Sequence, residues 1–296
     1  MATLKEVKTK ISGVKKTKQI TRAMNMVAAS RLRGMQRKMQ AFRPYAFKFK
    51  EVLASLAERA GFASPLLVAK EREDVRKVHL IVCTSDRGLC GGFNISVLDK
   101  AESWIKEWGP EVEVSITAFG KKAQDWTRKT GRHLEDSYLG IMGTSFGFGI
   151  ASRAGDKLLK QFLAGTYDEV HIIFSEFQGM SRQVPTFQQL LPVPRFVEEE
   201  TEEADEKKYL PEHLCEPSPT VLLNEMLPKD VHIQLYRALL ETSTSEHAAR
   251  MVAMDNATRA CNDIIKDLNR LFNKARQAAI TNDLIDIVSG AEALKG

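Results

Sequence analysis

Residues 28–60 read AASRLRGMQRKMQAFRPYAFKFKEVLASLAERA. The apolar residues of this stretch recur at alternating intervals of four and three, which is the heptad pattern of a coiled-coil helix. The repeating residues are Ala28, Leu32, Met35, Met39, Phe42, Ala46, Phe49, Leu53, Leu56 and Ala60. The same pattern begins nearer the N-terminus with Leu4, Val7, Ile11 and Val14. The sequence therefore predicts one long helix over residues 1–60.

Between these two runs the heptad register is interrupted. It falls on the polar residues Lys18, Thr21 and Asn25, while the apolar residues are displaced to Ile20, Met24 and Val27. A straight helix drifts relative to a heptad repeat, so the displacement predicts that the seam changes partner or straightens here. Further along, Pro44 predicts a kink or a turn of the seam.

A second heptad helix is predicted at the C-terminus. Its seam comprises His247, Met251, Met254, Thr258, Cys261, Ile265, Leu268, Phe272, Ala275 and Ala279. Pro228 fits the first turn of this helix, and Gly290 is the place where we expect it to weaken. Helices this polar are poorly stable alone, so the two ends of the chain are predicted to pair antiparallel and bury each other's seams.

The middle of the chain alternates between strand and helix patterns. The predicted strands are 77–84, 111–119 and 167–177, and the predicted helices are 94–108, 121–130 and 150–163. Such alternation favours a mainly parallel sheet, and the prolines of 183–193 restrict that stretch to an edge strand. The fold class is therefore an α+β composite, in which a long antiparallel coiled coil of the terminal helices joins a central Rossmann-like α/β domain. The predicted segments are helix 1–60, α/β domain 75–195, acidic and proline-rich linker 196–218, and helix 219–296.

The charge is unevenly distributed along the chain. The total is +5, yet residues 1–50 hold fourteen Lys and Arg against Glu6 alone, a net +13. An acidic run at 198–206 opposes it. Such blocks indicate a solvated linker in the acidic case and an acidic partner in the basic one. No apolar stretch approaches the roughly 20 residues of a membrane span, and no apolar segment follows the first lysines as a secretory signal requires.

Two local motifs raise the hypothesis of an enzyme. Residues 85–92, SDRGLCGG, form a glycine-rich loop between a strand and a helix, where phosphates bind in α/β folds. The glycines do not fit GxGxxG, and no Lys-Ser/Thr follows, so a tight backbone turn is the favoured interpretation. Residues 143–147, GTSFG, match GxSxG around Ser145, but the preceding strand is weak and His171 lies within a strand. We therefore expect no catalytic residue.

Cysteine and histidine spacings give no sign of a cofactor. The four cysteines, Cys83, Cys90, Cys215 and Cys261, contain no CxxC pair, and the six histidines are scattered. Free thiols in a reducing compartment, with no metal site, are expected. A basic coiled coil that binds nucleic acid is the alternative from another class, and tight, sequence-dependent binding at physiological salt would distinguish it.

Several long motifs resemble one known family. Residues 20–31, ITRAMNMVAASR, closely resemble the N-terminal helix signature of ATP synthase gamma subunits. Residues 246–254, 273–281 and 286–291 resemble its C-terminal helix, and the loop 86–92 resembles a hallmark of its α/β domain. The resemblance spans essentially the whole chain. Asp283 is a departure, because the family usually has Glu there, and a contact made through the shorter side chain would be looser.

The resemblance implies a non-catalytic rotor rather than an enzyme. The paired helices would enter a hexamer of alpha and beta subunits, and the α/β foot would rest with the epsilon subunit on the membrane proteolipid c ring. Arg276, Gln277, Thr281 and Asp283 would form an upper polar contact with the hexamer, with Arg250 contributing on the same helix. Met24 would lie beside an acidic lever of a catalytic subunit, and Arg87 and Cys90 would place the foot loop near it. A peripheral position on the cytoplasmic face of a bacterial inner membrane is expected.

Overall fold

The computed structural model describes residues 4–60, 64–68, 70, 74–143, 146–194, 215–216 and 218–293. The chain divides into two compact units, Met1–Ser30 with Arg250–Gly296, and Arg31–Ala249. In chain order the elements are α1 (Leu4–Ala60), β1 (Lys77–Cys83), α2 (Phe93–Trp108), β2 (Glu113–Phe119), α3 (Lys121–Lys129), β3 (His133–Tyr138), α4 (Phe148–Leu163), β4 (Glu169–Phe177), β5 (Gln183–Leu191) and α5 (Pro219–Ala293). We call the second unit the α/β unit and the first the helix-pair unit. The acidic run at residues 198–206 lies outside the described residues.

The α/β unit is built on one five-stranded sheet. Its strand order is β3-β2-β1-β4-β5, and only β5 runs antiparallel to its neighbour. The predicted mainly parallel sheet and its proline-containing edge strand are thus confirmed. The sequence prediction missed β3, because its residues, HLEDSY, are largely polar and half-buried at the opposite edge.

Both faces of the sheet are covered, which explains the continuous apolar run of β1. Six of its seven residues are buried. Because successive side chains of a strand point to opposite faces, Ile81 and Cys83 join one core while Leu80 and Val82 join the other. The first core is closed by α1, α4 and α5, and the second by α2 and α3.

The prediction that Pro228 lies in the first turn of its helix needs correction. Helix α5 begins at Pro219, nine residues before Pro228, which therefore lies inside the helix rather than in its first turn. Ser218 precedes it and accepts a hydrogen bond from the Val221 amide with its hydroxyl, a normal N-cap arrangement. Helix α1 likewise continues through Pro44. Packing of both helices in the α/β core outweighs the local cost of proline.

The helix-pair unit contains the two ends of the chain as an antiparallel pair. Thr21 contacts Thr258, whereas Asn25, further along α1, contacts the earlier Met251. The strict heptad register continues through this segment, so the predicted change of seam is wrong. Polar contacts between the two helices compensate for the missing apolar residues.

No helix among the described residues is long and apolar enough to cross a membrane.

Candidate partner-binding surfaces

The centre of the helix-pair seam is polar, and this leaves apolar side chains on the outside. The hydroxyls of Thr21 and Thr258 lie 2.8 Å apart, and Asn25 Nδ2 donates to the Met251 carbonyl at 2.8 Å. Since these residues occupy the seam, Ile20 and Val27 point away from it and remain 60% and 54% exposed. This part of α1 therefore offers an apolar outer face that a partner can cover.

The C-terminal end of α5 carries a second exposed apolar surface. All side chains from residue 280 to 291 are exposed. Ile280, Leu284, Ile287 and Val288 share one face of the helix, because they are spaced at i, i+4, i+7 and i+8. We call these four residues the tip stripe. Sequence reasoning missed it, although this spacing is the signal that would have found it.

The four predicted polar contact residues flank the tip stripe. Arg276, Gln277, Thr281 and Asp283 are all exposed. Helical spacing places Arg276 and Asp283, seven residues apart, on one side of the stripe, and Gln277 and Thr281, four apart, on the other. Thr281 also donates its hydroxyl to the Gln277 carbonyl at 2.9 Å. The structure thus brings these residues together within about two turns of one helix.

Met24 and Arg250 occupy a separate level of the helix-pair unit. Asn25 bonds Met251, so their sequence neighbours Met24 and Arg250 lie at the same height along the pair. Both side chains are half-buried. The structure therefore brings these two residues to one level, away from the Arg276–Asp283 group.

The glycine-rich loop is held by side-chain hydrogen bonds, and its residues face different ways. Asn94 accepts hydrogen bonds from the amide and hydroxyl of Ser85 at 3.0 and 2.9 Å, and its own amide donates to Cys90 Sγ at 3.1 Å. Cys90 is therefore 1% exposed and faces inward, whereas Arg87 is exposed. Leu89 is 63% exposed and adopts φ +65°. Arg87 and Leu89 are thus accessible at this loop, whereas the Cys90 side chain is buried.

The same loop disfavours phosphate binding. The Asp86 carboxylate accepts the amides of Lys121, Gly140 and Met142 at 3.1, 3.0 and 3.2 Å. These amides lie at the carboxyl edge of the parallel strands, where a nucleotide phosphate would need them. A carboxylate already occupies that position and would repel an anion. The geometry supports a structural turn.

The GxSxG hypothesis receives no support either. Thr144 and Ser145 lie outside the described residues. His171, the histidine considered as a partner, contacts Glu169 at 2.6 Å and stacks on Phe187 inside the sheet. Within the part of the chain that the structure describes, no group of three or more His, Cys, Asp or Glu could hold a metal ion.

Comparison with known proteins identifies the family. A family model described as ATP synthase matches residues 3–294. The ATP synthase gamma chain of Desulfosudis oleivorans is 59% identical over 300 residues, covering 100% of both chains. This chain belongs to the ATP synthase gamma chain family. The gamma chain of Desulforapulum autotrophicum is 56% identical, with 99% of this chain and 100% of that one covered. None of this supports the nucleic-acid alternative.

Solved structures agree with the gamma chain fold. A chain of the Tetrahymena thermophila mitochondrial ATP synthase central stalk and c-ring matches with a TM-score of 0.61 and 23% identity, covering 80% of this chain and 99% of that one. A chain of the Euglena gracilis mitochondrial ATP synthase matches with a TM-score of 0.63 and 18% identity, covering 98% and 94%. At these identities the likeness shows a shared fold. Family membership itself rests on the sequence matches.

Proposed function

We propose that this gamma chain is the non-catalytic central rotor of an F-type ATP synthase. It couples ion flow through a membrane c ring to ATP synthesis or hydrolysis in an alpha-beta hexamer. The observation that carries the proposal is the antiparallel helix pair with apolar residues on its outside and at its tip. A soluble chain leaves such a surface uncovered when a partner completes it. In this proposal the helices predicted at 1–60 and 219–296 form the shaft, and the α/β domain predicted at 75–195 forms the foot. The predicted linker 196–218 connects the foot to the second helix.

Coupling requires that each orientation of the helix pair favours a different state of each catalytic subunit. The pair suits this role because its sides differ. One part of α1 carries Lys5, Lys8 and Lys15, and Glu6 is the one acidic residue among the first fifty of the sequence, while Ile20 and Val27 give another part an apolar surface. Exposed cations attract acidic groups only weakly and are screened by salt, so they would allow successive contacts to form and break.

The proposed contacts with the hexamer lie at two levels. Arg276, Gln277, Thr281 and Asp283 would meet it together with the tip stripe, because they flank those apolar residues on one helix. At the other level, Met24 would lie beside the acidic lever of a catalytic subunit, and Arg250 would also contact the hexamer. The foot loop, with Arg87 exposed and Cys90 buried, would also lie near that lever. The epsilon subunit and the c ring would bind the α/β unit, at the cytoplasmic face of a bacterial inner membrane.

Co-purification tests the proposal. A tagged gamma chain, expressed with the alpha and beta subunits of the same organism, should bring down a hexamer that hydrolyses ATP. The isolated chain should hydrolyse neither ATP nor simple esters. The triple variant Ile280→Gln, Leu284→Gln and Ile287→Gln should reduce capture at least ten-fold, because each change removes apolar area from the contact. The matched control is Ile95→Gln with Leu163→Gln, two comparably exposed residues on the α/β unit.

The Met24 level has its own test. Met24→Lys would add a cation beside an acidic lever, so ATP hydrolysis should continue while ATP-driven ion pumping falls several-fold. Met24→Leu keeps an apolar side chain of similar size and is the control. Normal pumping by Met24→Lys would contradict the role given to this residue, and failure of the unmodified chain to capture a hexamer would contradict the whole proposal.

A further inference from the structure

One segment of α5 is enclosed on every side by the α/β unit. All residues from 238 to 248 are buried, which is eleven consecutive positions or about three helical turns. A helix buried all round is ordinarily apolar all round. Here the middle reads ETSTSEH, residues 241–247, so the enclosed part consists mainly of hydrogen-bonding side chains. That composition requires specific partners, because a buried polar group without one is costly.

Three of these side chains bond to other elements of the same unit. Glu241 accepts the Phe177 amide at 2.9 Å, and Ser245 donates to the Ser175 carbonyl at 3.0 Å. Both partners belong to β4. Ser243 donates to the carbonyl of Met142, in the segment between β3 and α4, at 3.3 Å. The helix is thus bonded to two separate parts of the α/β unit.

These three bonds fix the helix in a way that apolar packing does not. Apolar contacts have no direction, whereas a hydrogen bond weakens steeply when its angle or distance changes. A shift of α5 by one residue means a 100° rotation and a 1.5 Å slide, which would break all three bonds together. Thr244 in the same segment differs, because its hydroxyl, as far as the described residues go, bonds only to the Leu240 carbonyl of its own helix, at 2.7 Å.

We infer that Glu241, Ser243 and Ser245 are positioning residues that lock the rotational angle of α5 within the α/β unit. Torque applied to that unit would then turn the helix instead of letting it slip. The inference rests on the proposed rotor function. It assigns a task to polar side chains that are buried within the α/β unit.

The test uses the complete ATP synthase complex in sealed vesicles. ATP hydrolysis drives the uptake of protons, or of sodium if the unmodified complex pumps sodium, until the opposing gradient stops it. The double variant Ser243→Ala with Ser245→Ala should hydrolyse ATP within two-fold of the unmodified rate but sustain a maximal gradient at least two-fold smaller. Thr244→Ala, which removes an equally buried hydroxyl, should match the unmodified complex. Glu241→Gln keeps an acceptor for the Phe177 amide, so the maximal gradient of this variant should stay close to that of the unmodified complex.

The possible outcomes distinguish a failure of this inference from a failure of the proposed rotor function. A Ser243→Ala, Ser245→Ala complex that sustains the same gradient as Thr244→Ala overturns the inference and leaves the rotor function standing. An equal loss in Thr244→Ala also overturns it, since general packing damage would then explain the result. An unmodified complex that never pumps contradicts the proposed function itself. If the double variant fails to assemble, the two single variants decide by the same comparison with Thr244→Ala.

Discussion

The α/β unit and the helix-pair unit are stabilised in different ways. The α/β unit has a sheet covered on both faces, with two apolar cores. The helix-pair unit has one narrow seam, which is polar at Thr21 and Asn25 and leaves Ile20 and Val27 exposed. The first unit holds its fold by its own burial. The second leaves Ile20 and Val27 uncovered, so we expect its helices to be less stable in isolation.

The three tryptophans allow the two units to be measured separately. Trp104, Trp108 and Trp126 all lie in the α/β unit. Tryptophan fluorescence therefore reports on that unit alone, whereas far-ultraviolet circular dichroism sums the helices of both. If the helix-pair unit is less stable than the α/β unit, the circular dichroism signal should begin to fall at a lower denaturant concentration than the fluorescence signal. Coincident transitions would contradict the claim that the units differ in stability.

The largest effect is expected for Gly120→Ala in the α/β unit. Gly120 has φ +94°, and a Cβ there would lie 2.3 Å from the Thr84 carbonyl oxygen. Backbone strain and a clash with fixed backbone together should cost about 3 kcal/mol or more of unfolding free energy. Gly34→Ala is the control, because Gly34 is helical with open space around it and should gain up to about 1 kcal/mol. Fluorescence-detected unfolding measures the unfolding free energy of both variants. Equal values would refute the claim that an alanine at position 120 is strained.

The next effect is a pH dependence in the same unit. Burial raises the pKa of Asp230 from 3.8 to about 6, against opposing contributions from Gln234 and Lys50. A carboxyl with a raised folded-state pKa stabilises the fold when protonated, so this contribution is complete below about pH 4 and is lost as pH rises through 6. Asp230→Asn should therefore be more stable than the unmodified chain at pH 8, by about 1–3 kcal/mol, and similar to it near pH 4.

The control for Asp230→Asn belongs to the other unit. Asp255 pairs with Arg259 at 2.6 Å, but both side chains are about half exposed or more. Asp255→Asn should change stability by less than about 0.5 kcal/mol at either pH, because surface ion pairs contribute little. A gain for Asp230→Asn that is the same at pH 4 and pH 8 would show that ionisation of the buried carboxyl is not its cause.

A smaller effect is expected in the helix-pair seam. Thr21→Val with Thr258→Val replaces both partners of one hydrogen bond with apolar groups of the same shape, which should be neutral or stabilise the pair by about 1 kcal/mol. Circular dichroism should show the gain, and tryptophan fluorescence should stay unchanged. Thr9→Val is the control, since Thr9 is exposed and its hydroxyl bonds to the Lys5 carbonyl of its own helix. Loss of helix in the double variant would mean that the polar seam holds the pair together.

The same contrast explains what could be predicted from the sequence. The terminal helices and most of the sheet follow from apolar periodicity, since burial of Val7, Leu32 and Met254 dictates that spacing. The polar edge strand β3 carries no such period and was missed. The continued register at Thr21 was also missed. A buried polar residue there depends on its hydrogen bond to Thr258, and the local sequence around Thr21 does not reveal a partner more than two hundred positions away.

The candidate site divides along similar lines. Family motifs identified Arg276, Gln277, Thr281 and Asp283, which the structure places together on one exposed stretch. Motifs alone do not show which way a side chain points, so the inward orientation of Cys90 required the structure, in which Asn94 bonds its sulfur. The bonds of Glu241 and Ser245 to β4, and of Ser243 to Met142, were equally invisible, because their partners are backbone atoms that any sequence would supply.

The smallest effect is expected for the tip stripe in the isolated chain. Ile280, Leu284 and Ile287 are 51%, 57% and 68% exposed, so changing all three to Gln removes little burial and should alter stability by less than about 0.5 kcal/mol. Circular dichroism and fluorescence unfolding of the isolated chain provide the measurement. A loss above 1 kcal/mol would mean that the stripe packs against its own chain. A ten-fold loss of hexamer capture with unchanged stability would instead assign the apolar area to a partner, because folding does not use it.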